Sequence, residues 1–299
     1  MDYRGKNCII TGRLGFIGNA LGKRLILGGA DVFAYERDTR DPVKLRSFVN
    51  HKIEYNGRID YFFHFGSPSS QVLFQRDALN CVDNTVTGFI NVARVCRDYG
   101  IKLIYPSTGI LSQGVENEYS RCKKICEDIH LKNNLNALGL RIFAGYGVGE
   151  SHKEDYASVP YIFCRNAIEA RPLIIYGDGS QTRDFIYIDD LINAILVLTQ
   201  SASEQVVDIG SGESRSFKKI AEAVASLSLM DTEIIYKDVP PNYVKDTRAD
   251  VTVLKKYGIV ACSPLKNRLA KILEVEAKRV YPEDVAARYI RDYLGAWLN

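Results

Sequence analysis

The run Thr11-Gly12-Arg13-Leu14-Gly15-Phe16-Ile17-Gly18 most restricts what this chain can become, because three glycines there follow a β-rich segment and open a helix. The segment before it, Asn7-Cys8-Ile9-Ile10, reads as a strand. At such a turn glycines let the backbone approach a pyrophosphate, and the free N–H groups of the helix start face its negative charge. The spacing is G-x-x-G-x-x-G rather than G-x-G-x-x-G, so the triplet alone also suits tight strand-to-helix packing. Its setting of strand, turn and helix points to a bound cofactor.

The alternation continues. Val32-Phe33-Ala34-Tyr35, Tyr61 to Phe65, Lys102 to Tyr105 and Leu138 to Phe143 read as strands, while Asn84–Tyr99 and Ser120–Asn133 carry helical periodicity. Gly100 is placed to stop the first of these helices. This pattern predicts an α/β chain with a doubly wound parallel sheet buried on both faces. The expected first domain is 1–143, receiving segments from about 184–210. Residues 144–299 are expected to form mainly a smaller substrate-binding lobe and C-terminal helices, since glycine, proline and polar residues become denser after Ala144. Within it, Asp190–Thr199 and Phe217–Leu229 read as helices, Val206–Ile209 as a strand, and Leu265–Val280 and Pro282–Leu298 as two further helices. The last carries Tyr289, Tyr293 and Trp297 at i, i+4, i+8, a stripe that suits core or subunit contact better than a ligand site.

Composition excludes several classes. With 299 residues, 46% hydrophobic and 25% charged, the chain has the makings of a soluble globular protein. Its net charge of +3 comes from scattered basic residues, so neither nucleic acid nor a membrane surface is implied as partner. No stretch nears the roughly 20 apolar residues of a membrane span, and the start lacks a basic cluster followed by an apolar run, so a cytoplasmic protein is expected. Seven cysteines without CxxC or paired histidine spacing suit reduced thiols, and no metal site is expected.

The chemistry is carried by Tyr119 and Lys123 in Tyr-Ser-Arg-Cys-Lys, with Thr108 ahead of them. A phenol is a poor base near neutral pH unless a cation favours its ionised form, and positions i and i+4 share a helix face. Tyr-x-x-x-Lys by itself also fits a solvated helix surface; the accompanying motifs distinguish it. Glu36 stands 24 residues after Gly12 at the end of the second strand, where a carboxylate can accept from an adenosine ribose diol, which favours NAD. Arg13 and Arg37 flank the region and can bind the extra phosphate of NADP.

From about residue 6 to about residue 277 the chain resembles an extended short-chain dehydrogenase/reductase of the nucleotide-sugar epimerase/dehydratase family, similar to UDP-glucose 4-epimerase-like enzymes. Thr11–Gly18 matches TGxxGFIG. His64-Phe65-Gly66-Ser67 resembles the cofactor segment H-[LF]-A-[AGS], Pro106-Ser107-Thr108 the catalytic Ser-[Ser/Thr] turn, and Leu140–Gly147 LRxFNxYG. Most specific is Ile175–Asp190, which reads IYGDGSQTRDFIYIDD. The resemblance implies a Rossmann-type fold and catalysis by Thr108, Tyr119 and Lys123. It implies cofactor contacts from Gly12, Gly15, Phe16, Ile17, Gly18, Glu36, Arg37, Asp38, Phe65, Gly66, Ser67, Tyr119, Lys123 and Phe143. For a nucleoside-diphosphate sugar it implies contacts from Thr108, Tyr176, Gln181, Arg183 and Arg248, the two arginines on the diphosphate. It also implies a homodimer through the helices 84–99 and 120–133, where Ile90, Val95 and Ile129 are apolar positions open either to that interface or to sheet packing.

Departures from the family pattern narrow the reaction. Glu36 and His64 are only 28 residues apart, a stretch that in relatives usually holds a helix and a further strand; Asp38–Pro42 resembles the end of that strand. Ala144 replaces a substrate-contacting Asn, Cys122 replaces the Ser of Tyr-x-x-Ser-Lys, and the Asn of Asn84–Gly88 is one residue out of register. After Thr108 come Gly109 and Ile110, where dehydratases carry Asp-Glu and decarboxylating relatives often a Glu. Neither residue can move a proton. The chemistry expected is therefore transient oxidation at sugar C4, a 4-epimerase; the alternatives are an NAD(P)-dependent ketoreductase or dehydrogenase, a dehydratase or decarboxylase, and a cofactor-sensing scaffold without catalysis.

Overall fold

The computed structural model describes residues 1–239, 244–260 and 264–298. In chain order the first elements are β1 (Asn7–Thr11), α1 (Phe16–Leu27), β2 (Asp31–Tyr35), α2 (Pro42–Asn56), β3 (Tyr61–His64), α3 (Gln71–Arg76), α4 (Ala78–Tyr99), β4 (Lys102–Thr108), α5 (Glu118–Lys132) and β5 (Ala137–Ile142). They are followed by β6 (Ala144–Tyr146), α6 (Val159–Ile168), β7 (Leu173–Tyr176), β8 (Thr182–Tyr187), α7 (Ile188–Ser201), β9 (Val206–Ile209), β10 (Ser214–Ser216) and α8 (Phe217–Ala225). The last are β11 (Ile234–Lys237), α9 (Thr252–Lys256), α10 (Leu265–Val280), α11 (Glu283–Tyr289) and α12 (Gly295–Leu298).

Two compact units result. The first contains Met1–Ile142, Ile192–Ile209 and Thr252–Ile259. Its strands form one parallel sheet in the order β2-β1-β3-β4-β5-β9, the doubly wound Rossmann-type arrangement. Fully buried Ile9, Phe62, Phe89, Val92 and Leu103 belong to one core cluster of this sheet and its helices. Pro106 interrupts β4 without loss on the β3 side, because the β3 pairing stops at Phe63–Ile104. Between β2 and β3 only α2 intervenes, so the further strand usual in relatives is missing and β2 is the edge. Asp41 caps α2 by accepting from the Lys44 N–H, and Pro42 follows at the first helical position. Gly100 ends α4 with φ +66, as its position suggested.

The second unit contains Phe143–Leu191, Gly210–Val251 and Val260–Asn299, within the described residues. It has a three-stranded sheet ordered β10-β8-β6 and a parallel pair, β11 with β7. The expected return at 184–210 is therefore corrected. β8 pairs with β6 and β10 and stays in the second unit, and the chain rejoins the first unit only at Ile192. Phe143, expected in the first domain, opens the second unit.

Other expectations shift at helix ends. α8 stops at Ala225, short of Leu229. The C-terminal segment is three helical pieces, α11, a π turn over Ile290–Leu294 and α12. This splits the aromatic stripe: Tyr289 is buried and donates to the Leu227 carbonyl at 2.7 Å, Tyr293 is exposed, and Trp297 is half-buried beneath the Lys266 ammonium. Val95 is buried in the sheet core, Ile129 packs against it half-buried, and Ile90 is also half-buried. Six described cysteines are buried and free, while Cys262 and Asn299 lie outside the described residues.

A buried carboxylate of α5 ties β4 and β5 together. Glu127 of α5, fully buried, accepts from Arg141 Nε at 2.9 Å and Nη2 at 2.7 Å, and from the Ser107 hydroxyl at 2.5 Å. Removing the carboxylate leaves the half-buried Arg141 guanidinium and the buried Ser107 hydroxyl without their partner, a loss of about 1–3 kcal/mol. Urea unfolding of Glu127→Ala at pH 7 should show a destabilisation of that size. A loss below about 1 kcal/mol would mean the pair does not secure these strands.

Candidate active site

The turn after β1 is built on backbone contact. Gly12 has φ +67, and a Cβ there would lie 2.6 Å from the Phe65 carbonyl oxygen. At Gly18 a Cβ would lie 2.0 Å from the Gly12 carbonyl oxygen, so neither position admits a side chain. Gly15, at φ −75, is the N-cap of α1 and provides no capping side chain; the first turn holds no acid either. The start of α1 thus carries no negative side chain, and a cradle closed to side chains lies beside it. These residues fit a dinucleotide pyrophosphate. Phe16 is buried and Ile17 half-buried in the first turn.

Thr11 ties this turn to the end of β3. Its hydroxyl oxygen accepts from the Gly66 N–H at 2.9 Å and lies 2.9 Å from His64 Nδ1. Neither Thr11 nor His64 was singled out as a site residue in the sequence, although both lie inside matching motifs. The available signal was that a hydroxyl and an imidazole end neighbouring strands in register, Thr11 opposite His64. Burial, with the Lys123 charge adding to it, pushes His64 down to about 3, so its ring is neutral.

Thr108, Tyr119 and Lys123 come together as expected. Asn117 and Ser120 form a reciprocal capping box, each side chain accepting from the other's backbone N–H at 2.9 Å. That cap starts α5 so that Tyr119 lies in its first turn and Lys123 one turn on. Thr108, buried at the end of β4, hydrogen-bonds to the Tyr119 phenol. Tyr119 packs edge-on against Phe74 at 5.7 Å. Lys123, only 3% exposed, donates to Ser67 Oγ at 2.7 Å and lies 5.8 Å from the Tyr119 ring centroid.

Burial decides both proton affinities. It pushes Tyr119 up to about 12, the Thr108 hydrogen bond only partly opposing it, and pushes Lys123 down to about 8. The expectation that Lys123 chiefly sets the Tyr119 pKa is therefore corrected, since desolvation dominates and the ammonium is directed at Ser67.

Beyond β2, Glu36, Arg37 and Asp38 are exposed. Asp38, expected on the cofactor, holds Arg40 at 2.7 Å, and Arg40 reaches Asp83 at 3.1 Å and Asn80 at 2.9 Å. Asn91 of α4 binds the carbonyls of Thr39 and Arg40, both at 3.1 Å, which fastens this short connection to the helix. Arg13 folds along α1, where a Cβ on Gly22 would meet its Nε at 2.2 Å.

In the second unit, Phe143 is buried and Tyr176 is exposed at the end of β7. Gln181 is buried and donates to the Tyr176 carbonyl at 2.6 Å, so its amide braces the loop between β7 and β8. Arg183 donates to the carbonyls of Thr182, Val244 and Lys245, and its guanidinium lies 5.4 Å from the Phe217 ring centroid. Arg248 Nε donates to the Gly212 carbonyl at 2.8 Å. Fully buried Asp184 gathers the loops that carry it, accepting from the N–H groups of Ser211, Gly212 and Ala249. Among the described residues no cluster of three or more His, Cys, Asp or Glu could hold a metal, and no helix is long and apolar enough to cross a membrane.

A Rossmann-type unit with a glycine cradle and a Thr-Tyr-Lys cluster defines a dinucleotide-dependent redox site. Residues 8–210 match the model of the NAD dependent epimerase/dehydratase family, and the chain belongs to that family, whose cofactor is NAD. A UDP-N-acetyl-alpha-D-glucosaminuronate decarboxylase of Bacillus cytotoxicus is 23% identical, covering 84% of this chain and 91% of its own. An ADP-L-glycero-D-manno-heptose-6-epimerase of Brachyspira hyodysenteriae is 26% identical, covering 84% and 91%. Among solved structures, UDP-glucose 4-epimerase of Thermotoga maritima with UDP-glucose superimposes with a TM-score of 0.84 at 22% identity, covering 92% of this chain and 100% of that one.

The buried lysine makes a stability prediction. Its folded value of about 8 lies below the ordinary 10.5, so the unfolded chain binds the proton more tightly and stability rises as pH climbs from about 8 to 10.5. Below pH 8 the buried charge costs on the order of 3 kcal/mol. Lys123→Met should therefore abolish turnover yet raise unfolding free energy at pH 7 by roughly 1–3 kcal/mol, a gain that shrinks above pH 8. Chemical denaturation at pH 7 and pH 10 measures both; a destabilised Met variant at pH 7 would contradict it.

Proposed function

We propose that this protein is a nucleotide-sugar 4-epimerase. The observation that carries this reading is the Thr108–Tyr119 hydrogen bond at the end of β4, followed by Gly109 and Ile110, which offer no carboxylate for elimination or decarboxylation. Bound NAD supplies the acceptor, and then the donor, of the C4 hydride. Tyr119 takes the proton of the sugar 4-hydroxyl and later returns it, while Thr108 hydrogen-bonds the same oxygen. A phenol pushed up to about 12 keeps its own proton at neutral pH, so the base is the phenolate, which the positive charges of Lys123 and of a bound oxidised nicotinamide would favour. Net epimerisation returns the sugar's proton to the same oxygen, so that proton does not have to reach solvent. Lys123 and Tyr119 hold the nicotinamide ribose. Arg183 and Arg248 hold the diphosphate, which keeps the sugar bound as it turns its other face.

Incubation with UDP-, dTDP-, GDP- and CDP-sugars should interconvert one pair of C4 epimers without net NADH. Net NADH would indicate a dehydrogenase, and release of carbon dioxide a decarboxylase. Tyr119→Phe should lower turnover at least ~100-fold, the lower end of what a general base contributes, with NAD binding nearly intact. Retention of more than a few per cent of activity would remove Tyr119 from that role.

Glu36 stands where an adenosine ribose diol is read, and Arg13 lies along α1, which supports NAD over NADP. Titration of both cofactors should give the tighter binding to NAD; tighter NADP binding would assign the pocket to Arg37 and favour the reductase. We further propose a cytoplasmic homodimer through α4 and α5, where Leu79, Val82 and Ile125 are exposed apolar side chains. Light scattering should give about twice the 33.6 kDa chain mass, and a monomer at micromolar concentration would dismiss the interface.

A further inference from the structure

Behind Lys123, on the side of β3 and α4, lies a cavity of about 10 Å3 lined by His64, Ser67, Thr85, Lys123 and the apolar Phe89 and Cys126. A single water needs roughly 10–15 Å3 and two to four polar partners. Two buried polar atoms of the lining, His64 Nε2 and Thr85 Oγ1, have no hydrogen-bonding partner among the described residues. A third group, the Lys123 ammonium, has three donors, of which Ser67 Oγ takes one. Buried groups of this kind are costly unless satisfied.

The proton positions follow from Thr11. Its hydroxyl oxygen accepts from the Gly66 N–H, and among the described residues its one remaining partner is His64 Nδ1. The hydroxyl proton therefore goes to Nδ1, and the neutral ring carries its own proton on Nε2. His64 Nε2–H and Lys123 are then two donors beside one cavity, with the Thr85 hydroxyl as an acceptor. Neither donor can satisfy the other.

We propose that this cavity is a binding site for one ordered water, which accepts from His64 Nε2–H and Lys123 Nζ–H and donates to Thr85 Oγ1. His64 and Thr85 are thereby positioning residues: through the water they fix the direction of the Lys123 ammonium. With Ser67 and the water each taking one donor, the third stays directed at the cofactor ribose. This consequence rests on the role given to Lys123 above, whereas the water site stands on the cavity and its unsatisfied atoms.

The test uses the NAD-bound full chain. High-resolution crystallography should show a density peak within hydrogen-bonding distance of all three atoms, and 15N-histidine NMR should show the Nε2–H tautomer for one of the four histidines, lost in His64→Gln. Thr85→Val should lose the peak and lower kcat roughly tenfold with KM nearly unchanged, and Thr85→Ser should restore both. Absence of the peak, an Nδ1–H tautomer for His64, or a Thr85→Val enzyme with unchanged kcat would overturn the proposal. The density and the tautomer do not depend on which sugar is turned over, so failure of the water site and failure of the epimerase reading are told apart.

Discussion

The close approach of three backbone stretches around residue 12 governs this protein. The Gly12 carbonyl lies against Gly18, Gly12 itself lies against the Phe65 carbonyl, and Thr11 reaches across to Gly66. Because backbone meets backbone, the contact tolerates no side chain and hardly any displacement. It fixes the start of α1 relative to the end of β3. The residues after β3 carry Ser67, and Ser67 receives Lys123, so the glycine turn and the buried lysine share one rigid support.

Against that rigidity the catalytic groups are held in unfavourable protonation settings. Tyr119 and Lys123 are both shifted toward their neutral forms, and among the described residues no carboxylate pairs with the ammonium. A chain selected for stability alone would place an apolar residue at 123. The capping box of Asn117 and Ser120 and the Glu127–Arg141 pair stabilise α5 on either side of the lysine, which lets the helix retain it.

Much of this was legible in the sequence for reasons of period and chemistry. Strand β9, Val206–Ile209, and helix α10, Leu265–Val280, fall where periodicity puts them, because each has one apolar face and a clear stop. The cluster of Thr108, Tyr119 and Lys123 follows from motif spacing, since one helical turn and one strand end are local. What escaped was non-local. The placement of β8 depends on pairing with β6 and β10, which no local pattern encodes. The dominance of burial over the Lys123 charge depends on what surrounds α5. The pairing of Asp38 with Arg40 likewise acquires meaning only once α4 supplies Asp83 and Asn80.

The shortened connection after Glu36 also changes how the molecule meets its own copies. Among the described residues no strand lies beyond it, so β2 forms the margin of the sheet, where one row of backbone groups has no strand partner. Such a margin templates aggregation when it is long, flat and greasy. Here it is five residues long and opens on exposed Asp31, with the Lys52 ammonium laid 4.9 Å above the Phe33 ring. Charge at one end and a cation over its apolar residue keep the margin wetted, so losing a strand from the fold need not bring a loss of solubility.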